Sequence, residues 1–159
     1  MVAEKHRRRW VACDVAPIAI HAARKRLLRL RDVSPFAVQS VDELGVRPAR
    51  KLTARVEVAG PVATVALNSF AIPEQAVPRG ARTSIAHWSQ WIDGWCVDWD
   101  HHGGELRVGS QTWRPRGQAP LPLSATHAYR SPGRYSALVK AFDVLGGATT
   151  TQLRVDVGQ

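Results

Sequence analysis

The spacing of apolar positions changes along this chain, and each change predicts an element. Residues 9–13, RWVAC, form a short apolar run closed by Asp14, the pattern of a buried strand that ends at a carboxylate. Pro17 then suits the first turn of a helix, where its missing N–H costs nothing. Ala16, Ile20, Ala23, Leu27 and Leu30 follow at helical spacing, with Arg24, Lys25, Arg26, Arg29 and Arg31 on the other faces. Strand, tight turn and amphipathic helix make the half-unit from which doubly wound α/β sheets are assembled, and one such unit cannot bury its own apolar face.

After Pro35, Gly45 and Pro48 the period becomes two, as in Leu52, Ala54, Val56 and Val58 and then Val62, Thr64, Ala66 and Asn68, with Gly60–Pro61 between as a hairpin turn. A boundary near Arg50 follows. Residues 80–92, GARTSIAHWSQWI, predict a short helix carrying Trp88 and Trp91. Further strands are expected at 93–99, 105–113, 121–128, 134–143 and 149–157. In WCVDWD, Trp95, Val97 and Trp99 share the face expected to be core. In the penultimate strand Tyr135, Ala137, Val139 and Ala141 alternate with Ser136, Leu138, Lys140 and Phe142, and in the last Thr151, Leu153, Val155 and Val157 share one face. Seven short strands with turn signals between them predict a β-sandwich.

Charge sharpens this division. Of the net +9, residues 1–50 hold 11 Lys+Arg against 5 Asp+Glu, and residues 51–159 hold 11 against 8. A basic N-terminus fits either a nucleic-acid partner or a solvated helix face. Cys13 and Cys96 sit in apolar runs without CxxC spacing, which predicts buried reduced thiols of a cytoplasmic protein and no metal knuckle. No apolar run approaches the ~18 residues of a membrane helix, and no apolar segment of a signal peptide follows MVAEKHRRRW. Asp93, Asp98, Asp100, His101 and His102 are close in sequence, but alternate strand positions and a loop bring carboxylates together without an ion, so no metal is expected. His21 and His127 lack partners at triad or zinc spacing and read as structural.

Two stretches resemble known families. WDWDHHGG and HAYRSPGRYSALVKAFDVLGG are similar to the aromatic-Asp turn and the His-x-Tyr-x-x-Pro-Gly-x-Tyr strand of PKD-type immunoglobulin-like domains. The resemblance implies a PKD/immunoglobulin-like β-sandwich over residues 50–158, a fold and not an activity. His101–His102–Gly103–Gly104 replaces the usual Gly-Asp-Gly turn, so the resemblance carries no calcium site to this chain.

The segment RRRWVACDVAPIAIHAARKRLL (7–28) resembles the second strand and following helix of the cofactor half of bacterial site-specific DNA amino-methyltransferases of restriction-modification type. The resemblance implies that residues 1–45 are the trailing fragment of a Rossmann-like, S-adenosylmethionine-dependent domain. Asp14 then stands at the strand tip whose carboxylate accepts hydrogen bonds from ribose hydroxyls, while Val15 and Ile18 pack against or beside the adenine. A helix N-cap is the other role open to Asp14. A glycine-rich cofactor loop ~20 residues before that acid falls upstream of residue 1. The Pro-Pro-aromatic motif that contacts a flipped base precedes that loop in the family, and Ser34–Pro35–Phe36 lacks the second proline. No catalytic residue is therefore expected here. The implied partners are DNA and the missing N-terminal catalytic portion, with Arg107, Arg114 and Arg116 as candidate DNA contacts near the Trp-rich stretch 88–99. The rival expectation is a standalone, non-enzymatic immunoglobulin-like binding module with a basic N-terminal arm.

Overall fold

The computed structural model describes residues 2–30, 33–39, 49–79, 85–115, 117 and 119–158. The chain divides into two compact units, Met1–Arg47 with Leu145–Gly147, and Pro48–Val144 with Ala148–Gln159.

In the second unit, seven strands follow one another among the described residues: β1 (Lys51–Ala59), β2 (Val62–Ala71), β3 (Ile92–Asp98), β4 (Ser110–Trp113), β5 (Ser124–Ala128), β6 (Gly133–Asp143) and β7 (Ala148–Val157). They form two antiparallel sheets, ordered β1-β2-β5 and β4-β3-β6-β7. Consecutive strands that change sheet after β2 and return at β5 make the immunoglobulin-like sandwich, the architecture that pattern and resemblance both predict. Two features of that fold recur. Trp95 of β3 lies buried at the centre, and Tyr135, near the start of β6, donates its hydroxyl to the Ser131 carbonyl 2.7 Å away.

In the second sheet the alternating sets read from the sequence face inward. Trp95, Val97 and Trp99, then Ala137, Val139 and Ala141, then Val155 and Val157 are all buried in one core with Leu52, Val65, Leu67 and Phe70 from the first sheet. In β2 the alternating set Val62, Thr64 and Ala66 faces outward, while Ala63, Val65 and Leu67 face the core. The turn sets this phase. Gly60 and Pro61 join Ala59 directly to Val62, and Gly60 at φ 57° supplies the left-handed residue that such a tight hairpin requires. A register shift between Thr53 and Ala54 then carries Phe70 inward opposite Leu52.

Two expected elements are shorter. The strand expected over 105–113 begins only at Ser110; residues 105–109 form a loop tied to the end of β3 by the Arg107 N–H on Asp98 and the Gly109 N–H on the Val97 carbonyl. The helix expected over 80–92 is a single 3-10 turn, Trp88–Trp91, capped by His87 and Gln90, with residues 80–84 outside the described set. Trp88 and Trp91 pack partly against the core.

The first unit departs further from expectation. Among the described residues its regular elements are α1 (Val2–Lys5) and α2 (Pro17–Leu27). Residues 8–14 are irregular, so the strand expected over 9–13 is absent. A strand needs a neighbour for its N–H and C=O groups, and none of the described strands lies beside it. The helix itself forms, but of the expected apolar stripe Ala16, Ile20, Ala23, Leu27 and Leu30 only Leu27 is buried; Ala23 is exposed, and His21 is the other buried position. Cys13 is exposed, against expectation, because the run that was to bury it is not in a sheet; Cys96 is buried as expected.

Full burial of an indole removes some 150–250 Å² from water, ~4–6 kcal/mol at the usual coefficient. Trp95→Ala is therefore expected to lower the unfolding free energy of the sandwich by about 3–5 kcal/mol in a urea titration. A loss below about 1 kcal/mol would show that the core does not centre on this residue.

Candidate functional site

The candidate cofactor residues lie in the turn before α2. Asp14 accepts a hydrogen bond from the Ala16 N–H at 2.8 Å through Oδ1. Ala16 occupies the N-cap position and makes no side-chain cap, so Asp14 shapes the entry to the helix from two residues further out. The carboxylate is exposed. So are its apolar neighbours: Val11 is 97% exposed, Val15 101% and Ile18 55%. Asp14, Val15 and Ile18 thus share one exposed turn that presents an acid flanked by aliphatic side chains.

A second carboxylate, which the sequence patterns did not single out, holds this segment together. Glu4 of α1 accepts the Trp10 indole N–H through Oε2 and the Ser34 backbone N–H through Oε1, both at 2.7 Å. Trp10 also lies near Phe36, with ring centroids 6.2 Å apart. The Ser34 backbone N–H first, then the Trp10 N–H and the Ser34 hydroxyl, hold the Glu4 carboxyl below the usual range against the opposing effect of burial. Nothing in a lone Glu near a basic stretch marks this role in advance.

At one end of the sandwich the WDWD turn builds an acid-aromatic cluster. Asp98, at the end of β3, is 4% exposed. Its Oδ2 accepts the Arg107 backbone N–H and the His101 Nδ1, each at 3.0 Å, and its Oδ1 accepts the Asp100 N–H at 3.3 Å. Burial raises its pKa, but the Arg107 N–H, His101, the Asp100 N–H and the His101 charge together outweigh it, so the carboxyl sits below the ordinary aspartate value. Gly103 and Gly104, both at positive φ, let the loop fold back toward Asp98. This is a loop fastener. Among the described residues no group of three or more His, Cys, Asp or Glu is placed to hold a metal ion.

Beside the fastener runs a column of rings. Trp99 stacks on His127 at 5.2 Å, His127 meets Tyr129 edge-on at 4.7 Å, and Tyr129 stacks on Tyr135 at 4.1 Å. Tyr129 donates its hydroxyl to the Trp99 carbonyl at 2.7 Å, and Trp99 donates its indole N–H to Ser110 at 2.9 Å. Burial, then the Asp100 carboxylate and Tyr135, push the Tyr129 phenol up to about 12. His127 is thus a packing residue, in agreement with its structural reading.

Of the arginines expected to contact DNA, the two described ones are placed differently. Arg107 is exposed, and its backbone N–H is the donor to Asp98. Arg114 is partly buried, and its Nη2 donates to the carbonyls of Ser89, at 2.8 Å, and Ile92. Its backbone N–H also bonds the Asp93 carbonyl at 2.7 Å. Arg116 lies outside the described residues. A cation that follows a strand and precedes Pro115 reads from sequence as a surface charge; only the fold reveals that the 3-10 turn ends beside it with carbonyls to satisfy. No described helix is long and apolar enough to cross a membrane.

These contacts have measurable consequences. A carboxyl with a depressed folded pKa contributes stability above the ordinary aspartate value, near ~3.9, that disappears as pH falls through the lower folded value. Wild-type stability should therefore fall below about pH 4, and Asp98→Asn should be less stable at neutral pH with a flatter acid limb. Parallel acid limbs in the two proteins would remove Asp98 from that role. Arg114→Ala should cost about 1–3 kcal/mol by leaving carbonyls unsatisfied. Arg107→Ala should stay within about 0.5 kcal/mol of wild type, as surface substitutions do. Equal effects from the two substitutions in thermal melts would contradict the contrast.

No family model matches the chain, and no curated protein matches it. Among solved structures it is similar to the PKD1 domain from the Vibrio cholerae metalloprotease PrtV, with 17% sequence identity and a TM-score of 0.41 over 70% of this chain and 99% of that one.

Proposed function

We propose that this chain is the C-terminal part of an S-adenosylmethionine-dependent DNA amino-methyltransferase, inactive by itself, with a PKD/immunoglobulin-like domain appended. The sequence 7–28, with Asp14 followed closely by helix α2, carries the reading. The exposure of Val11, Val15 and Ile18 supports it. Aliphatic side chains in a row around an acid are what one edge of a cofactor pocket leaves behind when its opposite wall belongs to another segment.

The residues present suit one edge of the cofactor. Asp14 has the carboxylate to accept hydrogen bonds from two ribose hydroxyls, and Val15 and Ile18 offer apolar surface to an adenine ring. The cofactor supplies an electrophilic methyl group when bound. This chain's share is to orient the nucleoside end; the residues that contact the base amino group come from another segment. DNA is the second partner, with Arg107 as the contact retained in this proposal.

A standalone binding module is the second reading, and the self-contained core of the sandwich favours it. The two readings separate on complementation. Under the first, this chain alone transfers no methyl group from S-adenosylmethionine to DNA. Co-expression with a chain bearing the glycine-rich loop and the Pro-Pro-aromatic motif then restores transfer. In that pair Asp14→Ala should weaken cofactor binding by roughly tenfold, about 1.4 kcal/mol by calorimetry. Failure of complementation, or an Asp14→Ala pair that binds the cofactor as wild type does, would reject the reading.

A further inference from the structure

The sandwich has four strands at sheet edges, and they are not protected alike. An open edge offers unpaired N–H and C=O groups, and soluble proteins usually blunt it with charge or by keeping the strand short. β1 carries Lys51, Arg55 and Glu57, β7 carries Arg154 and Asp156, and β4 has only four residues before Arg114. β5, Ser-Ala-Thr-His-Ala, carries no Asp, Glu, Lys or Arg, nor does its neighbour β2.

The register shows which groups β5 leaves at that edge. Leu67 donates its N–H to the Leu123 carbonyl and Tyr129 donates to the Pro61 carbonyl, so residues 123 and 129 are directed at β2. In an antiparallel ladder the hydrogen-bonded positions alternate, so 125 and 127 also face β2. Ser124, Thr126 and Ala128 consequently turn both backbone groups to the open edge. Among the described residues no strand pairs with them.

We infer that two copies of this chain associate edge to edge through β5, antiparallel about a two-fold axis at Thr126. The centre falls on an edge-facing residue, so Thr126 opposes Thr126 of the second copy and Ser124 opposes Ala128. Each of these pairs can exchange both backbone hydrogen bonds. The facing side chains are small or hydroxylated, and threonine opposite threonine is a favourable cross-strand pair. A second copy fits this edge because the chain's net charge of +9 is absent from β5 and β2, so like charges do not meet where the copies join. The product is one continuous sheet, β1-β2-β5 followed by β5-β2-β1 of the second copy. Its outer edges are the charged β1 strands, so association stops at two.

Sedimentation of the full chain over micromolar to millimolar concentration tests this. The weight-average mass should rise toward twice that of one chain and no further. Thr126→Pro removes an N–H directed at the open edge and not at β2, so it should abolish the rise while leaving the melting temperature close to wild type. Thr126→Lys places like charges opposite each other and should also abolish it, whereas Glu57→Lys on β1 should leave it unchanged. A wild-type chain that stays single at every concentration overturns the inference. So do a mass that passes two copies and variants at Thr126 that associate like wild type.

Discussion

The sandwich depends on one residue that touches both sheets. Trp95 rises from β3 into the core at 1% exposure, and its indole N–H donates to the Pro122 carbonyl at 2.9 Å. Pro122 lies just before β5, in the other sheet. The next carbonyl along, that of Leu123, receives the Leu67 N–H and begins the pairing of β5 with β2. A single side chain therefore contributes apolar burial and also fixes where the crossing segment enters the first sheet. An indole without that acceptor would leave a buried donor unmet, which costs about as much as several buried methylenes contribute.

The end of β3 obeys the same rule of satisfied polar groups by a different means. Asp98 takes N–H groups from Asp100 and Arg107 and the His101 ring, so one carboxylate closes a loop of about ten residues. The aromatic column from Trp99 to Tyr135 packs against this turn and joins β3 to β5 and β6. At the opposite end of the strands, Arg50 and the fully buried Asp143 pair as charges, and Thr149 donates its hydroxyl to the Arg50 carbonyl. Isolated charges are not tolerated at such burial, so each end of the sandwich is fixed by an acid whose partners come from elsewhere in the chain.

Much of this was legible in the residue pattern, because strands that bury one face must alternate. The inward faces of β3, β6 and β7 follow directly from WCVDW, YSALVKA and TTTQLRVDV. The phase of β2 was not, because Ala63 and Ala66 are equally apolar by composition; the length of the Gly60–Pro61 turn, and not hydrophobicity, decides which of them is buried. The carbonyl contacts of Arg114 were hidden for a related reason. Its partners are backbone carbonyls at Ser89 and Ile92, and carbonyls leave no trace in side-chain identity.

The N-terminal segment shows the reverse relation between pattern and structure. Residues 9–13, RWVAC, read as a buried run, and a buried run requires neighbours that the described residues do not provide. The helix after them survives because its hydrogen bonds are internal, whereas a strand borrows half of its bonds from outside. The backbone at 8–14 is accordingly irregular, while α2 runs from Pro17 to Leu27. The turn that joins them keeps its form because Asp14 and Ala16 close it locally. The Asp14–Ala16 hydrogen bond thus keeps the acid and its aliphatic neighbours Val15 and Ile18 together in one exposed place.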